Sequence, residues 1–169
     1  MVNDSKHHIH KFIISSGVFV RRGNKYLVIK RSEQKRYAPG YAHFVGGKVE
    51  RGENPYLTAK REVLEESGIR IKNMKLRAVI LEISPVEGEP YDWMIYHFTA
   101  NYDSGKIKET DEGKLIWMTK SEIHKQNLFP SLKKLSRYIF DEKTGTVFAT
   151  FDYDKSGKEI VKSRIDFCK

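Results

Sequence analysis

GGKVERGENPYLTAKREVLEESGI, residues 46 to 69, is the stretch that decides the fold. Asn54-Pro55 is a helix start, with Asn as N-cap and Pro at the first helical position. Ser67-Gly68 is a stop, because Gly accepts the left-handed conformation after a helix. The residues between predict a helix of about three to four turns. Leu57, Val63 and Leu64 are expected to face a core, and Ala59 to let the backbone pack closely. At about 100° per residue, Glu62 and Glu66 lie about 40° apart, with Glu65 about 60° from Glu62 on the other side. Three carboxylates therefore share one edge. Each like-charge pair at this spacing costs about 0.2 to 0.5 kcal/mol, and each carboxylate in the last turn opposes the helix dipole by roughly 0.3 to 1 kcal/mol.

Runs of charge are mostly solvated surface, and an Arg61–Glu65 pair at i,i+4 would account for part of this one. The residues upstream change the balance. A glycine-rich turn carries another acid, Glu53, immediately before the helix, and glycines let a backbone come close to a ligand. Carboxylate and carbonyl oxygens without Cys or paired His suit Mg²⁺ or Mn²⁺ better than Zn²⁺.

The rest of the chain limits the choices. Its 169 residues suit one domain over 1–169, with 1–11 as a mobile tail holding His7 to His10. A composition 39% hydrophobic, with nine Tyr, nine Phe and two Trp, excludes a disordered chain. The 31 basic against 22 acidic residues, a formal +9, suit an anionic partner such as a nucleotide. Nucleic acid is compatible with that charge but not indicated, because the lysines form no compact block. A single cysteine, Cys168, excludes a disulfide framework and favours a reducing compartment. No apolar leader or run long enough to span a membrane is present, so the expectation is a cytoplasmic protein without a membrane partner, monomer or homodimer.

Around the helix the pattern is mostly strands. Gly23-Asn24 predicts a tight hairpin between two β-rich runs. RIKNMKLRAVILEIS and YDWMIYHFTANY read as strands, with turns at PVEGEP and at DSGK. LIWMT reads as a short buried strand. Thr119 and Glu122 form a capping box for a helix, and PSLKKLSRYIF is an amphipathic helix placing Leu132, Leu135 and Ile139 on one side. A last hairpin turns at Lys155-Ser156-Gly157. The order is α+β, an α/β/α sandwich with a mixed sheet.

From Gly47 there follow five residues, Glu53, seven residues, then Arg61-Glu62-Val63-Leu64-Glu65-Glu66-Ser67-Gly68-Ile69. This resembles a complete Nudix box, every fixed position being filled over 23 residues. The resemblance implies a Nudix sandwich whose catalytic helix follows the glycine-rich loop. It further implies hydrolysis of a nucleoside diphosphate derivative, with Mg²⁺, or Mn²⁺ as a substitute, activating water against a phosphorus. By the family pattern, Glu65 and Glu66 hold the metal and Glu62 is a further ligand or the base. Arg61 orients neighbouring carboxylates, Glu53 supports them or adds a ligand, and a carbonyl of Gly46 or Gly47 completes the sphere. Lys48 meets a phosphate, and Glu112, from a loop outside the box, is a candidate further acid; the alternative for Asp111 and Glu112 is an ordinary turn.

The turn FVGGKVERGE and the closing hairpin resemble MutT-like 8-oxo-dGTP diphosphatases, which implies 8-oxo-dGTP hydrolysed to the monophosphate and pyrophosphate. Two departures weaken that substrate: Val45 stands where a proline is usual, and NLFPSL lacks the asparagine that follows the prolines, although Asn127 is near. Phe44, Trp93, Phe129 and Tyr41 offer aromatic faces for a base, with core packing the commoner role for such residues. His97, alternating within a strand, reads as structural. Nucleotide sugars, dinucleoside polyphosphates and capped RNA remain as alternative substrates, as does a Nudix module that binds without cleaving.

Overall fold

The computed structural model describes residues 11–34, 38–108 and 113–168; His7 to His10, Asp111 and Glu112 lie outside them. The elements run β1 (Phe12–Arg22), β2 (Lys25–Arg31), β3 (Ala42–His43), β4 (Val45–Lys48), α1 (Pro55–Ser67), β5 (Ile69–Ile83), β6 (Asp92–Gly105), β7 (Gly113–Thr119), α2 (Lys120–His124), α3 (Pro130–Ile139), β8 (Val147–Tyr153) and β9 (Ile160–Phe167). Strands lie in the order β3-β2-β1-β6-β5-β8-β9, with β4 beside β1 and β7 beside β2. The β1–β6 and β5–β8 pairs are parallel and the others antiparallel, so the sheet is mixed as expected.

Alternation along β1 makes the two layers. Val18 and Val20 join a core that α1 closes with Ala59 and Val63. Phe19, pointing the other way, joins a core closed by Ile123 of α2 and by Leu132, Leu135 and Ile139 of α3. The first hairpin turns at Gly23, whose φ of 62° is left-handed and easily reached by a residue without a Cβ, and Arg22 pairs with Lys25 beside it. Thr119 and Glu122 make the expected capping box.

Several expectations change. Leu57 and Leu64 are 49% and 40% exposed, and the buried stripe of α1 is Thr58, Ala59, Val63 and Ser67. Small residues there let the helix lie close on the sheet, which brings its acidic edge down to β4. The glycine pair is not a turn: Gly46 and Gly47 are in β4, and the chain turns after Lys48. β6 runs through Asp103 and Ser104 to Gly105, because Arg70 and Ile69 supply ladder partners. β7 is half covered, with only Met118 buried. No described helix is long and apolar enough to cross a membrane.

Candidate active site

β4 runs antiparallel to β1, pairing Gly46 with Gly17 and Gly47 with Ser16. A Cβ on Gly46 would stand 2.0 Å from the Ser16 carbonyl oxygen, so only glycine permits this approach. A Cβ on Gly47 would stand 2.1 Å from Glu62 Oε1; the carboxylate occupies the space a side chain would take. The Gly46 N–H donates to Glu66 Oε2 at 3.0 Å. Two carboxylates one helical turn apart thus converge on one backbone pair.

The helix that carries them is fixed at both ends. Asn54 accepts from the N–H groups of Tyr56 and Leu57 at 3.0 and 3.1 Å, and Gly68 ends the helix at φ 73°. Ser16 Oγ donates to the Pro55 carbonyl at 2.7 Å, tying the first turn to β1.

Arg61 is the hub. Its Nε and Nη2 donate to the two oxygens of Glu53 at 2.8 and 2.9 Å, a bidentate pair. Nη1 donates to Glu62 Oε1 at 2.8 Å and to Glu65 Oε2 at 3.1 Å, the latter being the expected i,i+4 pair. Nη2 also reaches the Lys48 carbonyl at 3.3 Å, linking the hub to the end of β4. Removing this guanidinium would leave three acids facing one another.

The four acids are not equivalent. The hydrogen bonds from Arg61 and then Thr58 hold Glu53 down at about 2, so it is ionised and both oxygens are engaged. Burial pushes Glu62 up, against the pull of Arg61, and its side chain is only 14% exposed. Glu65, 59% exposed, faces water.

Among the described residues no three His, Cys, Asp or Glu side chains form a group that could hold a metal ion as they stand. The donor chemistry fits a hard divalent cation nonetheless: Glu62 and Glu66 flank the same backbone and offer carboxylate oxygens. Mg²⁺ commonly takes one or two carboxylates, with waters and substrate phosphates completing its shell.

Next to the acids, on the α3 face, is a cleft of about 990 Å³ lined by Lys48, Tyr41, Trp93 and Phe129. The Lys48 ammonium lies 5.5 Å from the centre of the Trp93 ring, and the Tyr41 and Phe129 rings are 5.0 Å apart. Of the six residues expected to meet substrate, four therefore share this cleft. Phe44 does not: it is 4% exposed and its face is covered by Phe19 at 3.7 Å. Asn127 does not line it either; its carbonyl accepts from the Ala42 N–H at 2.8 Å, holding the loop before α3 against β3. Glu112 lies outside the described residues. His97 is buried, as a structural residue should be, and burial brings its pKa down to about 4.

Sequence reasoning missed the far wall of the cleft, formed by Pro85 and its loop and by Ser156, Gly157 and Lys158. Both stretches carry turn residues, but nothing local says that they meet. The parallel pairing of β5 with β8, ending at Ile83 and Asp152, brings them together.

A NUDIX domain family model matches residues 11–139. An uncharacterized Nudix hydrolase of Bacillus subtilis, YvcI, is 31% identical over 124 residues, spanning 72% of this chain and 77% of that protein. The NAD-capped RNA hydrolase NudC of Yersinia enterocolitica is 33% identical over 94 residues, 54% of this chain but 31% of that protein. The crystal structure of a MutT protein from Bacillus halodurans superposes with a TM-score of 0.77 at 25% identity, covering 91% of this chain and 97% of that one.

Proposed function

The chain belongs to the Nudix family, and on that premise we propose that its acidic edge hydrolyses a phosphoanhydride bond of a small nucleotide with the help of Mg²⁺, or of Mn²⁺ in its place. Nudix hydrolases act on nucleoside diphosphate derivatives, and this chain keeps every acid of the box.

The observation that carries the reading is the convergence of Glu62 and Glu66 on Gly46 and Gly47, with Arg61 steadying the cluster. Glu65, Glu66 and a carbonyl of Gly46 or Gly47 would hold the cation, with Glu62 as a further ligand or as the base. When bound, the cation offsets phosphate charge and makes water a better nucleophile at neutral pH. Glu62, largely hidden from water and therefore more basic than an exposed carboxylate, is suited to accept the proton of the attacking water. Arg61 keeps that carboxylate aimed and, through Glu53, fixed to the helix start. Lys48 pairs with a phosphate while Trp93, Tyr41 and Phe129 stack on the base. Glu112 is a further acid whose part is read from Glu112→Gln.

A panel of nucleotides with Mg²⁺ tests this, scored for phosphate and pyrophosphate and including 8-oxo-dGTP, nucleotide sugars and NAD. At least one should be cleaved, with loss of cleavage on adding a chelator or on Glu66→Gln. If 8-oxo-dGTP gives the monophosphate and pyrophosphate best, the substrate is the one that the resemblance to MutT proteins suggests. Cleavage of NAD instead would favour a dinucleotide or capped-RNA substrate, the reading supported by the similarity to NudC. No release from any compound overturns the hydrolase reading.

A further inference from the structure

The family match ends at residue 139, whereas one wall of the aromatic cleft comes from residues 156–158. That wall is the turn between β8 and β9, and it is built to be stiff. Asp154 accepts from Ser156 Oγ at 2.7 Å and from the N–H groups of Lys158 and Glu159 at 3.0 and 3.1 Å. The Gly157 N–H returns to the Asp154 carbonyl at 2.9 Å. Gly157 itself sits at φ 66°, and a Cβ there would lie 2.6 Å from the Pro85 carbonyl oxygen. The turn is thus pressed onto the loop that leads from β5 to Trp93.

We propose that this terminal hairpin is a specificity element, its turn forming one wall of the cleft and placing Lys158 to select the nucleobase. The inference rests on the hydrolase reading for the identity of the ligand, and deepens it. Lys48 and Lys158 stand with the aromatic rings in one cleft, and Lys48 is the one joined through its carbonyl to Arg61. A phosphate chain directed to Lys48 leaves the planar base among Trp93, Tyr41 and Phe129. Its edge then meets Lys158, whose ammonium donates to carbonyl oxygens or ring nitrogens and has no acceptor. Bases that present acceptors at that edge are favoured over those that present amino groups.

Two measurements separate this proposal from the hydrolase reading. The first compares kcat and KM across nucleotides of all four bases for the wild type and Lys158→Glu, an exposed position where folding should be unaffected. The variant should raise KM of the preferred nucleotide about tenfold with kcat within twofold, and change the rank order of the bases. The second titrates AMP, GMP, CMP and UMP without metal while following Trp93 fluorescence, with Trp93→Phe as the blank. The wild type should show base-dependent quenching, and Lys158→Glu should weaken it for the preferred base. These shifts support the proposal even if no compound is hydrolysed. Unchanged base preference in the variant, or no quenching in the wild type, overturns it even if hydrolysis is found. Gly157→Val serves as a second variant: displacing the turn from Pro85 should flatten base preference, and retained preference in a folded protein counts against the proposal.

Discussion

The two faces of the sheet differ in kind. On the α1 face, charge is concentrated: four acids and one guanidinium lie within a 14-residue span from Glu53 to Glu66, with Arg61 donating to three of the acids at 2.8 to 3.1 Å and Glu66 accepting from the Gly46 N–H at 3.0 Å. On the α3 face the polar groups are scattered among rings, and burial disfavours charge on the ionisable ones. His97 is deprotonated by burial, and Glu82, also buried, is pushed toward its protonated form, with Tyr153 and Ser131 as its hydrogen-bonding partners. Under the proposed function, the acidic edge meets a cation, while the cleft on the other face offers rings to a planar base and Lys48 to a phosphate. Arg61 offsets the mutual repulsion of the acids it bonds, whereas the rings are held by packing.

The most severe break of that contrast is to neutralise one acid. Glu66→Gln, and equally Glu65→Gln, should lower turnover by about 10²- to 10³-fold or more, the scale of removing one aligned electrostatic group from an active site. Thermal unfolding should stay near the wild type or rise slightly, since each change relieves repulsion at the helix end. Turnover within a few-fold of the wild type in both would move the chemistry away from α1.

On the other face the test is acid stability. An unfolded histidine titrates near 6.5 and His97 in the fold near 4, so on acidification the unfolded chain takes up the proton first. Its contribution is intact above about pH 6.5 and is lost as pH falls toward about 4, amounting to on the order of 3 kcal/mol. Urea midpoints measured across that range should show this decline, and His97→Leu should flatten it. An equal slope in the variant would mean that other groups govern the acid limb.

How much of each face could be read in advance follows from how each is encoded. The chemical edge is contiguous: Asn54, Pro55 and Gly68 bound the helix, and helical geometry alone places Glu62, Glu65 and Glu66 together. What remained hidden there was the approach of the helix. Leu57 and Leu64 looked like core residues, but Thr58 and Ser67 are buried instead, each with its hydroxyl bonded locally, to Glu53 and to the Val63 carbonyl. A buried stripe of small residues has no strong hydrophobic signature. The aromatic cleft is encoded in distant pieces that meet only through parallel strand pairing, so Trp93 and Phe129 were legible as candidates while Pro85 and Gly157 were not. Phe44 shows the converse: two residues before the glycine pair in sequence, between β3 and β4, it faces inward and stacks on Phe19.

A subtler break tests whether geometry, and not charge alone, matters at the acidic edge. Gly47→Ala keeps all four acids but would put a methyl group where Glu62 Oε1 lies. The carboxylate must then move by an ångström or more, and kcat should fall about 10- to 100-fold, the cost of a misplaced group. KM should change little, because the rings proposed to hold the base are on the other face. A combined loss in KM would show that the two faces are coupled through β4.

The mildest change reverses that split. Trp93→Ala removes a stacking face while leaving every acid in place, and loss of one base–aromatic stack is worth about 1 to 3 kcal/mol. The lower end is the better expectation, since Tyr41 and Phe129 remain and the Lys48 ammonium, released from the indole 5.5 Å away, stays at the cleft. KM should therefore rise about tenfold with kcat within a few-fold. The acids do not touch Trp93, so the pH dependence of kcat should also be that of the wild type. If kcat fell as far as in Gly47→Ala while KM stayed constant, the ring would be positioning the reacting phosphate through Lys48, and the division of labour between the faces would have to be redrawn.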